Sequence, residues 1–420
     1  MRTMPSPAAI EPLLPDVNFG WDPLPDLYAH IHRLVAEGHR VVPVRYIDSV
    51  AWLLLRYEDV AAAFADEEGL PAAPAYLRHS VPSQGMTLLA MQGEQHRIHR
   101  ALVTPPFQPG AVRAMATRLL APIANRIIDG FAGRRALDLV PEYTHAYPFA
   151  VISELVGIPA EDRERFMALI LLLFRFPWEP ERALAARDEA TAYLKTLLDA
   201  RRAEPRADLI SELAFAEVEG RRLTDEEIFS FLRLLYPAGA ETTYLTMGSM
   251  MWEVLRDPAL AARLRAAPEL RPAAVEEALR KHGATTLMPR YTEREVTIGG
   301  VTIPADSWVL FGIGPAGHDA ETFPDPEAFR LDRGANRHIA FGKGPHFCLG
   351  THLAREELRV SLDLLIDRLP GLRLDGEAAP AGTVLRGIFS LPVTYDDVLP
   401  ARDYVPKRVR QAALQPFDRA

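Results

Sequence analysis

Residues 341–350 read FGKGPHFCLG and contain the only cysteine among the 420 residues of the chain. A single thiol can form neither an internal disulfide nor a metal site built from several cysteines. If Cys348 takes part in chemistry, it acts alone. It is then either a nucleophile or one axial ligand to a metal whose other ligands come from a cofactor.

The residues around Cys348 favour the ligand role. Gly342 and Gly344 permit torsions and close approaches that a Cβ would forbid, which suits a loop pressed against a flat cofactor. Leucines at helical spacing follow, at Leu353, Leu358, Leu362 and Leu365. The cysteine is therefore predicted where a loop becomes a helix, and free N–H groups with the helix dipole stabilise a thiolate there. The alternative, a buried structural cysteine, requires neither glycine.

The same string resembles the haem-binding signature of the cytochrome P-450 family, Phe-Gly-x-Gly-x-His-x-Cys-x-Gly, at every fixed position. The resemblance implies that the Cys348 thiolate is the proximal ligand of the iron in haem b (iron protoporphyrin IX). It also implies that His346 points toward a haem propionate and that Phe341 packs below the porphyrin. Gly342 and Gly350 belong to the same cofactor-binding loop.

Composition excludes several classes of function. A net charge of −9 argues against general affinity for nucleic acid or anionic membrane. No stretch reaches the roughly 18 apolar residues of a membrane span, and residues 1–16 do not read as a signal peptide. We therefore expect a cytoplasmic, monomeric protein without a membrane anchor, and within the resemblance this points to the soluble bacterial class. Residues 1–420 are expected to form one domain, with 1–20 and 400–420 as peripheral tails.

The first hundred residues combine helices with a hairpin. The pattern predicts a helix over 24–38, a hairpin over 41–56 and a second helix over 57–65. Residues 70–91 contain scattered prolines and no sustained period, so they predict a long loop. Most of 111–202 is predicted to be helical, and 382–396 to form a hairpin whose tip lies near Phe389.

His96 and Arg100 lie four residues apart and share one face of a predicted helix. A solvated basic face is the usual explanation of such a pair. The resemblance implies instead that both hold a haem propionate and that Arg290 is a third propionate-binding residue. Two donors facing one carboxylate make physical sense in a partly buried site.

The longest helical pattern covers 223–257 and begins with a capping box, in which Thr224 is followed three residues later by Glu227. Two residues that disfavour helix stand in its middle. Pro237 costs about 3 kcal/mol and Gly239 about 1 kcal/mol in a helix interior. The sequence therefore predicts a distorted helix whose freed carbonyls leave room for a small ligand.

Glu241 and Thr242 lie in this region, and the Thr242 hydroxyl is predicted to bond back to the carbonyl of Ala238. The string AGAETT resembles the oxygen-activation motif of the family, an acid followed by an alcohol. The resemblance places Ala238 against the haem, makes Thr242 a hydrogen-bond donor during dioxygen activation, and makes Glu241 a source of protons. The alternative is a helix kink with a solvated Glu.

Glu277 and Arg280 stand three residues apart on a helix that Pro272 opens and Gly283 closes. Alone, such a pair contributes little on a surface. It resembles the buried Glu-x-x-Arg pair of the family, with Arg333 as the third member. The resemblance assigns this cluster a structural role beneath the loop that carries the cysteine.

Residues from several segments are candidates for a substrate pocket, although packing in the core is their ordinary interpretation. They are Thr87, Leu88, Leu173, Phe174, Leu235, Leu287 and Phe389. Since most are apolar, we expect a hydrophobic small molecule such as a terpene, steroid, fatty acid or polyketide.

The resemblance implies a mostly helical fold: one large helical domain with small sheets and a buried haem. The implied activity is monooxygenation with dioxygen, either hydroxylation or epoxidation. No flavin or ferredoxin segment is recognised, so electrons from NAD(P)H are expected through ferredoxin and ferredoxin reductase or a flavodoxin-type donor. A haem-based sensor or carrier is the alternative, but it does not need Glu241 beside Thr242. A zinc protein using Cys348 and His352 has too few ligands.

Overall fold

The computed structural model describes residues 10–404, and most of them are helical. The helices are α1 (Leu27–Ala36), α2 (Tyr57–Ala65), α3 (Ala73–His79), α4 (Val81–Gln84), α5 (Gly93–Val103), α6 (Pro109–Met115), α7 (Ala121–Asp129), α8 (Ala146–Val156), α9 (Arg163–Leu173), α10 (Pro180–Ala203), α11 (Leu209–Phe215), α12 (Asp225–Leu255), α13 (Pro258–Ala266), α14 (Arg271–His282), α15 (Ile313–Gly317) and α16 (Thr351–Arg368). The strands are β1 (Val41–Tyr46), β2 (Ser49–Leu54), β3 (Ala136–Asp138), β4 (Glu217–Val218), β5 (Arg221–Arg222), β6 (Leu287–Tyr291), β7 (Val296–Ile298), β8 (Val301–Ile303), β9 (Trp308–Gly312), β10 (Arg373–Leu374) and β11 (Pro392–Thr394).

The main sheet has the strand order β1-β2-β9-β6. β1 and β2 form the predicted hairpin, with Val41 opposite Leu54. β2 pairs with β9 in parallel, and β9 pairs with β6 antiparallel. Pro43 is tolerated in β1 because that strand lies at the edge of the sheet, where one side needs no backbone donor.

Apolar side chains gather into three clusters within residues 10–404. The largest surrounds α12 and includes residues of α8, α9 and α16. The other two cover opposite faces of the main sheet, because successive strand residues point to opposite sides. Leu53 and Leu310 enter one cluster, while Leu54 and Phe311 enter the other. Phe19 is fully buried in the first of these, so the end of the expected tail 1–20 packs into the core.

α12 begins as predicted. The Thr224 hydroxyl accepts a bond from the Glu227 N–H at 3.3 Å, and the Thr224 N–H donates to the Glu227 carboxylate at 2.9 Å. The helix then continues through Pro237 to Leu255, so the predicted distortion does not interrupt it. Most of its side chains are buried, and such packing contributes more to helix stability than intrinsic propensity does.

The prediction of a long loop over 70–91 was wrong. This segment contains α3, α4 and a short 3₁₀ turn, Leu88–Ala90. Pro74 and Pro82 stand in the first turns of α3 and α4. At that position a missing N–H is harmless and the fixed φ favours the helix, so these prolines start helices instead of breaking them.

The hairpin predicted over 382–396 is also different in the structure. β11 pairs with β10 on one side and β3 on the other, and the preceding residues contribute only isolated bridges such as Ala381 to Gly387. Residues 1–9 and 405–420, which belong to the two expected tails, lie outside the described residues. Among residues 10–404, no helix combines the length and the apolar character required to cross a bilayer.

Candidate functional site

The cysteine loop lies directly before α16, as predicted. Cys348 donates its N–H to the carbonyl of Phe341 at 2.9 Å, and Gly350 is the N-cap of the helix. Gly342 and Gly344 have φ of +70° and +72°. A Cβ on Gly344 would lie 3.0 Å from the carbonyl oxygen of Phe64. The loop therefore requires glycine because of its own torsions and because helix α2 packs against it.

The Cys348 thiol is free and half-buried. Burial raises its pKa, whereas a hydrogen bond from the Gly350 N–H and the charges of Arg100 and Arg355 act in the opposite direction. Burial outweighs these effects, so the start of the helix favours the thiolate but does not by itself produce it. Bound metal is what would remove the proton.

Four basic side chains converge beside this loop. The rings of His96 and His346 lie 4.2 Å apart. Arg100 donates to the carbonyl of Phe347, the residue before the cysteine, and Arg290 is 4% exposed. Burial and the neighbouring charges lower the pKa of His346 to about 3.

One of these basic residues lacks the hydrogen-bond partner that a buried polar group normally has. The Nε2 atom of His96 is buried and finds no hydrogen-bond partner among the described residues. A cavity of about 740 Å³ adjoins it, lined by His96, Arg100 and His346 but also by Glu67. Burial raises the pKa of the Glu67 carboxyl, and the charge of Arg290 acts in the opposite direction. The arrangement fits a bound group that carries its own carboxylates.

The donor set also fits haem. A lone thiol supplies one axial ligand and leaves the other coordination positions to the cofactor. The ring of Phe341 lies next to the loop, with the Arg355 guanidinium 4.5 Å above its centre. Together with the unpartnered Nε2 atom of His96, these features match a planar metal complex with anionic edges.

Exposed atoms appear in the middle of α12, where almost everything else is buried. Ala238 is exposed, and Glu241 and Thr242 are half-exposed. This stripe therefore faces a space wide enough for water or a small ligand. Thr242 donates its hydroxyl to the carbonyl of Ala238 at 2.9 Å, as predicted, and burial raises the pKa of Glu241.

Glu277, Arg280 and Arg333 form a buried ion cluster, in the arrangement that the sequence suggested. The Glu277 carboxylate accepts from Arg280 at 2.7 Å and from Arg333 at 2.7 Å. Arg280 also donates to the carbonyl of Gly317 at 2.6 Å. Although burial raises the pKa of Glu277, these guanidinium groups outweigh it and hold that pKa below its usual range.

The structure brings some pocket candidates together and separates others. Leu88, Leu173 and Leu235 enter the core around α12, and Phe174 packs against it. Thr87 is buried next to Leu88 in the chain. Leu287 belongs to a different cluster, on the main sheet, because strand alternation turns it toward α1. Phe389 is 55% exposed, beside Ser390, whose hydroxyl donates to Asp138.

Sequence reasoning missed a second ion cluster under the cysteine loop. The Glu276 carboxylate accepts from Arg355 at 2.7 Å and contacts His338 at 3.1 Å. Burial alone would raise the pKa of Glu276, but these two partners lower it to about 2. Arg355 lies 79 positions away in sequence, and no local pattern signals such a pair. The role of Phe64 beneath Gly344 was missed for the same reason.

Comparison with known proteins places this geometry in a family. Residues 150–370 match the family model described as cytochrome P-450. The chain is 35% identical over 357 residues to the mycinamicin IV hydroxylase/epoxidase of Micromonospora griseorubida, covering 82% of this chain and 89% of that protein. It is 35% identical to the vitamin D(3) 25-hydroxylase of Pseudonocardia autotrophica, covering 84% and 90%.

A solved structure has the same fold. It is a cytochrome P-450 from Chondromyces apiculatus, which superposes with a TM-score of 0.82 at 30% identity and covers 92% of this chain and 99% of its own.

Proposed function

The chain belongs to the cytochrome P-450 family of haem-thiolate monooxygenases, and from that premise we propose how its residues divide the work of the reaction. The enzyme acts on a small molecule and uses haem b as its cofactor. One atom of dioxygen enters the substrate, by hydroxylation or epoxidation, and the other is reduced to water. Relatives named as a hydroxylase/epoxidase and as a 25-hydroxylase catalyse reactions of this type.

In this proposal the Cys348 thiolate would bind the haem iron, and four basic side chains would hold the haem propionates. They are His96, Arg100, Arg290 and His346. The observation that carries the assignment is the buried Nε2 atom of His96, which has no hydrogen-bond partner within residues 10–404 although it lies among cationic groups. A buried donor without a partner is costly, and a propionate oxygen would accept its hydrogen bond.

Cys348 would hold haem through its thiolate, and the bound cofactor would supply the chemistry of O–O cleavage. The chain supplies the protons. Because burial raises the pKa of Glu241, its carboxyl holds a proton at higher pH than a free glutamate does. The Thr242 hydroxyl donates its hydrogen to the Ala238 carbonyl. The lone pairs of its oxygen are therefore free to accept a hydrogen bond from a water in the adjoining space. Rotation of the hydroxyl reverses this polarity and makes Thr242 a donor.

The substrate is proposed to be hydrophobic. Leu88, Leu173 and Leu235 lie in the core around α12, the helix that carries the exposed stripe at Ala238. Apolar surface of this kind excludes water and favours an apolar molecule, while few polar groups fix its orientation. Vitamin D(3), named for one relative, is a molecule of this character.

We further propose that residues 1–420 form one domain of a monomeric cytoplasmic protein. Electrons from NAD(P)H would reach it through ferredoxin and ferredoxin reductase or a flavodoxin-type donor. The net charge of −9 supports the absence of a nucleic-acid partner.

Reconstitution with NADPH, a surrogate ferredoxin, its reductase and isotopically labelled dioxygen tests the proposal. A panel of terpenes, steroids, fatty acids and polyketides is first screened for the spectral change that follows loss of water from ferric iron. We expect at least one such ligand to yield a product with a single labelled oxygen atom. Ligand binding without product or NADPH oxidation across the whole panel would favour a sensor or carrier instead.

A further inference from the structure

Three potential metal ligands from separate parts of the chain, His32, His318 and Glu327, lie close together. His32 lies on α1, His318 directly follows α15, and Glu327 lies in the loop after it. One nitrogen or oxygen atom from each lies within 4.8 Å of the other two. The same Glu327 oxygen is 2.6 Å from Nδ1 of His318 and 3.2 Å from Nε2 of His32.

The ring of His318 is fixed in orientation. Its Nε2 lies 2.9 Å from the carbonyl oxygen of Lys281, and its ring stacks on Tyr28 with centroids 3.8 Å apart. A carbonyl only accepts hydrogen bonds, so Nε2 carries the hydrogen. In the neutral ring, Nδ1 then presents a lone pair to the Glu327 carboxylate. Two acceptors at this separation require a proton or a cation between them.

His32 supplies the second, independent observation. Its Nε2 atom is closed off from solvent, yet it makes no hydrogen bond to any residue in the described range 10–404. The nearby Glu327 oxygen at 3.2 Å does not lie in a direction that forms one. A shielded ring nitrogen that lies within 4.8 Å of a carboxylate oxygen and a second imidazole nitrogen, without a well-directed hydrogen bond, is placed as a metal ligand would be.

We propose that His32, His318 and Glu327 form a zinc site. Two imidazoles and one carboxylate, with water in the fourth position, are a common tetrahedral donor set for Zn²⁺. A carbonyl that accepts the other ring N–H of a ligating histidine is the usual second partner in such sites, and Lys281 provides it. Glu327 is 55% exposed, so its carboxylate is free to move to the roughly 3.3 Å separation that bonds of about 2.0 Å require.

The nearest cations already have other partners. Arg280 is paired with Glu277, and Arg386 donates to the backbone carbonyls of Leu24 and Pro25. The site therefore offers one carboxylate and two imidazole rings to an incoming cation, a donor set that suits a divalent metal.

Zinc at this position would tie α1 to the segment that supports the cysteine loop. His318 is adjacent to Gly317, whose carbonyl accepts from Arg280. Because binding only the folded state stabilises it, zinc is expected to raise the thermal midpoint of the haem-loaded protein by about 2 °C or more at 100-fold excess over the dissociation constant. The iron ligand and the proton-delivery residues lie elsewhere, so turnover should not require zinc.

Equilibrium dialysis of haem-loaded protein against Zn²⁺, with metal content measured per haem iron, tests the site. His32→Ala and Glu327→Gln remove one ligand each from exposed or half-exposed positions. His39→Ala is the matched control, since His39 is 39% exposed and contacts only Glu37 among acids of the described chain. We expect one tight zinc ion per chain, bound at least about tenfold more weakly by both ligand variants and unchanged in the control.

X-ray absorption at the zinc edge gives a readout that does not depend on affinity. A first shell of nitrogen and oxygen at about 2.0–2.1 Å with imidazole scattering would support the site. Equal zinc affinity in the wild type and all three variants, a first shell that contains sulfur, or the absence of a stoichiometric zinc ion would overturn it. An unchanged Soret band in each variant confirms that the fold and haem are intact.

Discussion

At the scale of single residues, the hydroxyls of Thr242 and Thr243 make the same local bond but face different surroundings. Each donates to the carbonyl four residues earlier at 2.9 Å. Thr242 is half-exposed toward open space, whereas Thr243 is buried in the core. Only Thr242 is therefore in a position to exchange its backbone bond for one to a water molecule or a reacting group.

Replacing Thr242 by Ala should uncouple the reaction, because it removes the hydroxyl that we propose orders proton delivery. Product formed per NADPH is expected to fall by about tenfold or more, with hydrogen peroxide taking up the electrons. Thr243→Ala is the matched control and should leave the coupling near the wild-type value. Measured peroxide per NADPH that stays unaltered in Thr242→Ala would mean that another donor operates.

Glu357 predicts a pH dependence of stability. It is fully buried on α16, its Oε2 has no hydrogen-bond partner within the described chain, and burial raises its pKa well above the usual range. The stabilising contribution of protonated Glu357 to the free energy of unfolding is therefore intact below the unfolded-state pKa of about 4.3. It is lost as the pH rises through the folded-state pKa.

Glu357→Gln keeps the shape but cannot ionise, so it should be more stable than the wild type at neutral and alkaline pH. The advantage should shrink toward zero near pH 4. Denaturant unfolding of both proteins across this range measures the difference. A stability difference between the two proteins that does not change with pH would show that ionisation of Glu357 does not control the stability.

At the scale of elements, the loop that carries Cys348 is held by contacts from α2, α14 and α16. Phe64 of α2 packs against its glycines, and Glu276 and Glu277 of α14 bind basic residues on either side of it. These contacts fix the loop before any cofactor binds. The ion cluster around Glu277 is the part of this support that a single substitution tests most clearly.

Arg280→Ala leaves Glu277 as a buried charge with fewer partners and should cost about 3–5 kcal/mol in the free energy of unfolding, with loss of haem during purification. Arg126→Ala is the control: Arg126 is 64% exposed, lies 3.6 Å from Glu154, and should cost less than about 1 kcal/mol. Haem content and the thermal midpoint report both effects. Equal midpoints for the two variants would mean that the cluster adds nothing.

Elements whose signals are local could be predicted from sequence. The helix Tyr57–Ala65 has the predicted bounds, and the capping box at Thr224 is present. The segment 70–91 failed because proline was interpreted as a breaker, although Pro74 and Pro82 stand where a helix accepts it. Treating a proline as a possible first-turn residue of a helix would have predicted both α3 and α4.

At the scale of the whole molecule, contacts between distant segments are what the sequence could not reveal. The ten-residue motif identified Cys348. Local spacing placed His96 with Arg100, and Glu277 with Arg280, on one helix face each, and the family resemblance supplied their roles. Leu287 and Phe389 were placed by analogy, and the structure puts one in the sheet cluster and the other at the surface. The direction of a side chain depends on which distant strand or turn packs against its own segment. A single segment of sequence does not encode that contact.

The absorption spectrum of the ferrous–carbon monoxide complex tests the central claim, the bond between the Cys348 sulfur and haem iron. Wild-type protein purified with haem should give the thiolate-type band, because an anionic sulfur ligand donates electron density through the iron. Cys348→Ala should lose this band while any haem it retains shows a nitrogen- or water-ligated spectrum. An unchanged band in Cys348→Ala, or a colourless wild-type protein after expression with ample porphyrin precursor, would contradict the account.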